Sequence, residues 1–206
     1  MAQVAVSGLR LYAVVLVDGG EDKLVAPDAS VIMFRDLGAI VRPAPFEATG
    51  GDPDDVERTA QLVSRLFRRT PVLPAPFGAV VKSAEQVKRW LEMNYIALSE
   101  GLHYVEGRCE TRVHITPNPA VRPVDGKVEI LTTGSECFRD LRRHAVAAMI
   151  TRQEAEAMTE AFLIPEDAWD EFAERVRSHA FRHEALTFRQ TGPWPPYDFV
   201  RIDFDG

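Results

Sequence analysis

Two histidines near the carboxyl end have the residue type and the spacing that metal binding requires. His179 and His183 are four positions apart, and Glu184 is adjacent. On a helix, this spacing places both imidazoles on one face, as in many metal sites. The sequence signals no third ligand, and imidazoles near a helix C-terminus also suit the helix dipole. We therefore expect neither a metal nor a cofactor.

A second set of ionisable residues lies between positions 104 and 115, where polar and apolar residues alternate. This pattern predicts a long strand with one solvated face. The polar face would carry Glu106, Arg108, Glu110, Arg112 and His114. As one alternative, Glu110, Arg112 and His114 would line an interdomain cleft of a small-molecule-binding protein or an enzyme. Because no GxSxG, P-loop, GxGxxG or HExxH motif occurs, we predict that the protein is not an enzyme.

Composition restricts the class of protein. Hydrophobic residues make up 46% and charged residues 27% of the 206 positions, which is typical of a soluble globular protein. The net charge of −7 argues against binding to nucleic acid or to an anionic membrane surface. Ser7, Gly8 and Arg10 interrupt the first apolar run, so we expect no signal peptide and a cytoplasmic location. Cys109 and Cys137 are far apart and are expected to be reduced thiols.

The first half of the chain predicts an α+β domain over residues 1–118. Strands are expected at 9–17, 29–35 and 39–41, with Leu37-Gly38 as a turn between the last two. A capped helix should cover 53–69, and a second helix should begin at the Ser83/Gln86 capping box and end at Gly101. Together with the strand at 104–115, this order is typical of a modified ferredoxin-like sheet with helices on one face.

The second half predicts another small α+β domain over residues 128–206. Three prolines near residues 119–127 predict a semi-rigid linker. Beyond a possible short strand at 127–131, Ser135 should cap a long helix that reaches Met158. A buried strand at 161–164, a helix that begins after Pro165, and a strand at Leu186 and Phe188 complete the prediction. A final strand is expected at 199–204 because apolar and charged residues alternate there.

The most distinctive stretch is TGPWPPYDFV at residues 191–200. Its three prolines remove backbone donors, so it can be neither a helix nor a central strand. Its aromatic residues should pack back onto the protein. This stretch resembles the closing motif of the gas vesicle GvpL/GvpF family. The run Leu73-Pro74-Ala75-Pro76-Phe77-Gly78 resembles an internal motif of that family, and the step from Glu106 to Glu110 is similar to a third.

The resemblance implies a non-catalytic, two-domain accessory or minor structural protein of gas vesicle assembly. Its implied partners are the small hydrophobic shell protein and other gas vesicle accessory proteins, and its implied location is the cytoplasm and the gas vesicle. Phe77 is expected to be buried. The candidate interaction or structural residues are Pro74, Phe77, Gly78, Glu110, Gly192, Pro193, Trp194, Pro195, Pro196, Tyr197 and Phe199. A second alternative is a family relative that serves as a general chaperone or scaffold.

Overall fold

A computed structural model describes residues 7–17, 29–45, 53–121, 130–154 and 156–202. The chain divides into two compact units. Unit 1 contains the residues up to Glu106 and those from Val200 onward, and unit 2 extends from Gly107 to Phe199. Both units combine an antiparallel sheet with helices, so the α+β class predicted from the sequence is confirmed.

Unit 1 is built on an antiparallel sheet in the order β2-β3-β1-β4, with β5 also paired to β1. Its strands are β1 (Ser7–Leu16), β2 (Ser30–Phe34), β3 (Leu37–Pro45), β4 (Val72–Pro74) and β5 (Val80–Val81). The turn between β2 and β3 is Arg35-Asp36, not the predicted Leu37-Gly38. Gly38 instead lies within β3, where an added Cβ would be only 2.7 Å from the side chain of Val17. The glycine is therefore needed for packing and not for the turn.

Three helices belong to unit 1 among the residues that the structure describes: α1 (Pro53–Phe67), α2 (Ala84–Met93) and α3 (Tyr95–Val105). The predicted cap of α2 is present, because Oγ of Ser83 accepts a 3.3 Å hydrogen bond from the backbone N–H of Gln86. The helix ends at Asn94, and α3 then continues through Gly101. The prediction that Gly101 ends a helix was wrong, since Gly101 lies inside α3, where an added Cβ would be 3.2 Å from Leu73.

An apolar core of unit 1 lies between the sheet and helices α2 and α3. It includes Leu11 and Val14 of β1, Leu91 of α2 and Leu102 of α3, all of them buried. Ile202 also belongs to this core and is 3% exposed. A terminal strand was predicted at 199–204, but residues 199–202 are not extended strand and residues 203–204 lie outside the described chain. Burial of Ile202 thus occurs without strand pairing over these residues.

Unit 2 contains an antiparallel sheet in the order β7-β8-β6-β9. Its strands are β6 (Arg108–Pro117), β7 (Ala147–Glu154), β8 (Ala157–Pro165) and β9 (Leu186–Trp194), and its helices are α4 (Ile130–Leu141) and α5 (Trp169–Arg182). Short 3-10 turns follow α4 at Arg142–His144 and precede α5 at Glu166–Ala168. Phe162 packs between Phe138 and Phe172, with ring centroids 5.9 and 5.2 Å away. This aromatic row joins the sheet to both helices.

Further predictions for the second half differ from the structure. The long helix from Ser135 to Met158 was wrong, because α4 ends at Leu141 and the following residues form β7 and the start of β8. The alanine-rich segment favours a helix locally, but pairing with the buried strand β8 overrides that preference. The domain boundary also differs, since β6 pairs with β8 and β9 and so belongs to unit 2 instead of the first domain. Most of the predicted linker at 119–127, and residues 127–129 of the short strand, lie outside the described residues, whereas Ile130 and Leu131 of that predicted strand begin α4.

Across the portions of the chain that are described, no helix has both the length and the apolar character needed to cross a bilayer.

Candidate functional site: the Glu110 cluster and the closing motif

Three charged residues of unit 2 meet where β6 approaches the segment that follows β9. Glu110 and Arg112 lie two positions apart on β6, which directs both side chains to the same face of a strand. Asp198 comes directly after the prolines and Tyr197 of the closing motif. We call Glu110, Arg112 and Asp198 the Glu110 cluster.

The carboxylate of Glu110 has a hydrogen-bond donor on each oxygen. Nε of Arg112 donates to Oε1 over 2.9 Å, and the backbone N–H of Asp198 donates to Oε2 over 2.8 Å. Arg112 also reaches Oδ2 of Asp198, with its Nε at 3.0 Å and its Nη2 at 2.8 Å. A single guanidinium therefore bridges the two carboxylates.

Burial controls the electrostatics of the cluster. Glu110 is 0% exposed, and removal of its carboxyl from water raises its pKa from 4.5 to about 7. The negative charge of Asp198 acts in the same direction on that pKa, while the backbone hydrogen bond from Asp198 and the charge of Arg112 oppose it. Tyr197 is also affected, because burial and then the charge of Glu110 raise the pKa of its phenol to about 12.

This arrangement suits a structural connection better than proton transfer to a bound molecule. Both oxygens of Glu110 are occupied by protein donors, and the side chain has no exposed surface. His114, which was considered with Glu110 and Arg112 as cleft lining, instead places its Nδ1 3.1 Å from Oγ1 of Thr159. The Glu110 cluster therefore ties the end of the closing motif to β6.

The closing motif begins as the end of β9, an edge strand of the unit 2 sheet, and then leaves the sheet. Gly192 has a φ of 122°, and an added Cβ would lie 2.9 Å from the backbone oxygen of Glu110. The Gly192-Pro193 peptide bond is cis. Pro195 and Pro196 are buried, whereas Pro193 and Trp194 are exposed. Tyr197 and Phe199 are half-buried, so the motif packs back onto the protein except at its Pro193-Trp194 corner.

The predicted residues of the internal motif lie in unit 1, on and after β4. Pro74 is buried at the end of β4, and Gly78 is exposed with a φ of 81°. The prediction that Phe77 is buried was wrong, because its side chain is 43% exposed. The guanidinium carbon of Arg10 lies 5.9 Å from the centre of its ring. Pairing with β1 stops after Pro74 and resumes at β5, and Phe77 and Gly78 form the turn between these strands. Phe77 therefore stays at the surface.

A further cluster in unit 2 was only partly visible in the sequence. Ligand atoms of Cys137, His179 and His183 all lie within 4.8 Å of one another. The two histidines were recognised from their spacing on a helix, but Cys137 is contributed by α4, far away along the chain. No local pattern links a residue on one helix to two residues on another, so the sequence alone could not supply the third ligand. Among the described residues, these three side chains form the group whose candidate ligand atoms are close enough together to hold a metal ion.

Relatives with known structures share the fold over nearly the whole chain. The crystal structure of the gas vesicle protein GvpF from Anabaena sp. PCC7120 superposes with a TM-score of 0.78 at 19% identity, covering 96% of this chain and 99% of that one. The crystal structure of GvpF from Microcystis aeruginosa gives a TM-score of 0.74 at 17% identity, with coverage of 95% and 99%. At these identities, the likeness establishes the fold alone.

Sequence comparison identifies relatives and a family. Gas vesicle protein F2 of Halobacterium salinarum is 25% identical over 219 aligned residues, which cover 94% of this chain and 93% of that protein. Gas vesicle protein F1 of the same organism is 26% identical over 189 residues, with coverage of 86% and 83%. Residues 8–132 and 128–201 match the family described as "Gas vesicle synthesis protein GvpL/GvpF". Because the match extends over nearly the entire chain, this protein belongs to the gas vesicle synthesis protein GvpL/GvpF family.

Proposed function

We propose that this protein takes part in gas vesicle assembly by binding the small hydrophobic shell protein, as an accessory or minor structural protein and not as an enzyme. Membership of the GvpL/GvpF family supports a role related to gas vesicles. A shell subunit with an apolar surface needs a partner that covers this surface before polymerisation, and exposed apolar side chains on a folded protein suit that task. The same assembly would bring it to the gas vesicle in the cytoplasm, beside other accessory proteins.

The observation that carries the proposal is an apolar patch in unit 1 at the junction of α2 and α3. Met93 and Ile96 are 78% and 71% exposed, which is unusual for large apolar side chains that are close in sequence. They line a shallow cavity of about 480 Å³ together with Phe34, Arg35 and Tyr95, and the polar residues Glu92, Asn94 and Glu100 also line it. We call Phe34, Arg35, Met93, Tyr95 and Ile96 the corner patch. Clustered apolar exposure of this kind is typical of an interaction surface.

The aromatic part of the corner patch is already ordered. The guanidinium carbon of Arg35 lies 4.7 Å from the centre of the Tyr95 ring, and the Phe34 and Tyr95 rings meet edge to face at 5.9 Å. Oη of Tyr95 donates a 2.8 Å hydrogen bond to Oδ1 of Asp36. Because these contacts fix the rings before a partner arrives, little side-chain entropy remains to be lost on binding. The patch thus combines ordered aromatic rings with the two exposed apolar side chains of Met93 and Ile96.

Two of the aromatic residues proposed from the sequence as contacts also reach the surface. Phe77 is 43% exposed and Trp194 is 44% exposed. Pro74, Pro195 and Pro196 are buried and would support a partner surface only indirectly. Phe77 and Trp194 therefore remain candidate contacts alongside the corner patch.

Co-purification of the full-length protein with the shell protein tests the proposal. We expect the wild type to retain the shell protein and Met93→Ser/Ile96→Ser to bind at least about tenfold more weakly, since loss of central apolar contacts dominates binding energy. Phe181→Ser is the matched control, because Phe181 is 81% exposed in unit 2 and its loss should leave binding unchanged. Failure of the folded wild type to bind would refute the proposal, and equal binding by all three proteins would refute the role of the corner patch.

A further inference from the structure

The side chains of Cys137, His179 and His183 converge between two helices of unit 2. Cys137 is 2% exposed, His179 is 4% exposed, and His183 is half-buried. Their candidate ligand atoms all lie within 4.8 Å of one another. We call these three residues the Cys–His cluster. Of the three residues, His183 is the one that is partly exposed to solvent.

Helix geometry and aromatic packing hold the two imidazoles in place. His179 lies on α5, and His183 follows that helix as its C-cap, so that the two residues are one turn apart. The two rings are nearly parallel, at an angle of 12° and a centroid distance of 6.3 Å. The ring of Phe188 on β9 also stacks on His179 at 6.3 Å and 20°. Their positions are thus fixed by the fold.

A carboxylate orients His179. Nε2 of His179 lies 2.9 Å from Oδ2 of Asp140, and Asp140 belongs to the same helix as Cys137. With its Nε2–H donated to Asp140, a neutral imidazole keeps a lone pair on Nδ1. Histidine ligands of metals in proteins have this arrangement, with the second ring nitrogen bonded to a carboxylate. Among the described residues, the side-chain group in contact with Nδ1 is Nη2 of Arg182 at 3.3 Å, and Nε of Arg182 donates a 3.2 Å hydrogen bond to the backbone oxygen of Ser178. Because the Arg182 side chain is exposed, its guanidinium can leave Nδ1 for solvent.

We propose that Cys137, His179 and His183 bind one divalent cation of the zinc class through a thiolate and two imidazoles, with water as the fourth ligand. Sulfur and imidazole donors select zinc-like ions over magnesium or calcium. Zinc bonds of about 2.3 Å to sulfur and about 2.0 Å to nitrogen place tetrahedral ligand atoms about 3.5 Å apart, so the cluster closes by roughly 1 Å on binding. Arg182 swings outward, and the Cys137 S–H bond is replaced by a sulfur–metal bond while the proton passes to water.

Such a site would connect α4 to α5. Cys137 is on α4, and both histidines are at the end of α5, so a bound ion links two helices that otherwise meet through side-chain packing and the Asp140–His179 contact. Because a metal that binds only the folded protein stabilises it, the melting temperature should rise with zinc concentration. This role is independent of the corner patch in unit 1 and of shell-protein binding.

Cobalt titration of the full-length, untagged protein tests the proposal. The reduced protein is stripped with a chelator and then titrated with Co²⁺, whose thiolate-to-metal absorption reports directly on a sulfur ligand. We expect one equivalent of Co²⁺ to produce this band, Zn²⁺ to abolish it, and Mg²⁺ to have no effect. Cys137→Ser should remove the band, whereas Cys109→Ser, which alters the other buried thiol, should retain it.

Two further variants keep the test decisive if Cys137→Ser fails to fold. His183→Gln alters a half-buried residue and should weaken Co²⁺ binding at least about tenfold, as expected for loss of a ligand. Asp140→Asn should keep the thiolate band but bind Co²⁺ about tenfold more weakly, because Asp140 only orients His179. Absence of the band in the folded wild type, or its full retention in folded Cys137→Ser or His183→Gln, would overturn the proposal.

Discussion

The backbone N–H of Asp198 donates a 2.8 Å hydrogen bond to Oε2 of Glu110, whose side chain is 0% exposed. The same carboxylate accepts a 2.9 Å bond from Nε of Arg112. Glu110 lies on β6, an inner strand of the unit 2 sheet, whereas Asp198 lies beyond the edge strand β9. One buried carboxylate thus anchors the segment that follows the closing prolines, and its protonation should affect the stability of this attachment.

We predict that Glu110 makes stability depend on pH in the direction opposite to that of an ordinary paired carboxylate. Its pKa in the folded protein is about 7 against 4.5 for an unperturbed group, so the folded state holds the proton more tightly than the unfolded state. The resulting stabilisation is fully present below about pH 4.5 and is lost as the pH rises through about 7. Thermal unfolding at a series of pH values between about 5 and 8 would measure this slope.

Glu110→Gln is the control for this pH dependence, because it keeps the size of the side chain but cannot titrate. We expect the stability advantage of the wild type over this variant to shrink as the pH increases across this range. His114 and His179, whose pKa values are lowered chiefly by burial, titrate in both proteins and cancel in the difference. A difference that is constant with pH, or that grows with pH, would contradict the prediction.

We predict that Gly192→Ala destabilises unit 2 by about 2–3 kcal/mol. Part of this cost is backbone strain, since Gly192 has a φ of 122° that an alanine rarely adopts. The remainder comes from the close approach of the added Cβ to the backbone oxygen of Glu110, at 2.9 Å. Urea-induced unfolding would give the change in the free energy of unfolding.

Gly107→Ala separates the two costs for Gly192. Gly107 has a φ of 64°, but an added Cβ there would have no neighbour within 4 Å. Its substitution should therefore cost only about 1 kcal/mol, the strain of the left-handed conformation. If Gly192→Ala proved no more destabilising than Gly107→Ala, the close approach at Glu110 would not contribute.

Local signals in the sequence were sufficient for much of the fold. The cap at Ser83 was identified correctly, because it depends on neighbouring residues. The prediction of a helix from Ser135 to Met158 was wrong in the alanine-rich part of this segment, where the local preference for a helix competes with pairing to another strand. Residues 147–154 pair with β8, the next strand along the chain. This pairing outweighs the intrinsic preference of the alanines for a helix. The same limitation assigned β6 to the wrong unit, since its partners β8 and β9 come later in the chain.

Prediction of the candidate site was also divided between local and long-range features. Glu110 and the closing motif could be singled out from the sequence, but their hydrogen bond joins residues that are distant along the chain. Exposure of Phe77 and of the corner patch could not be predicted, because apolar residues at helical or strand spacing usually indicate a core. Cys137 was missed as a neighbour of His179 for the same reason as the strand partners of β6, since helix packing brings these residues together.

We predict that Phe162→Ala destabilises the protein by about 3–5 kcal/mol, as is usual when a buried aromatic ring is removed. Phe162 is 0% exposed and contacts Phe138 and Phe172 on the two helices. Phe181→Ala is the matched control, because Phe181 is 81% exposed and its removal should change stability by less than about 0.5 kcal/mol. Chemical denaturation of the two variants would compare them, and similar losses would argue against an aromatic core in unit 2.

We predict that Arg142→Met destabilises unit 2 by about 2–3 kcal/mol. Glu160 is 0% exposed, and Arg142 binds it through two nitrogens, with Nη2 2.9 Å from Oε2. The variant would leave a buried carboxylate without its partner, which costs about 3–5 kcal/mol in a fully buried pair. The side chain of Arg142 is 44% exposed, so water can replace part of the lost interaction and the cost should be smaller.

The double variant Arg142→Met/Glu160→Met distinguishes two explanations for the loss of stability in Arg142→Met. Either the ion pair itself stabilises the protein, or the loss comes from leaving Glu160 buried without a partner. Replacing both members of a buried ion pair by apolar side chains is often neutral or stabilising, because neither charge then has to be removed from water. We therefore expect the double variant to recover most of the stability that Arg142→Met loses, in denaturant unfolding at neutral pH. A double variant as unstable as the single one would mean that the pair itself provides net stabilisation, since completing the apolar substitution would then have gained nothing.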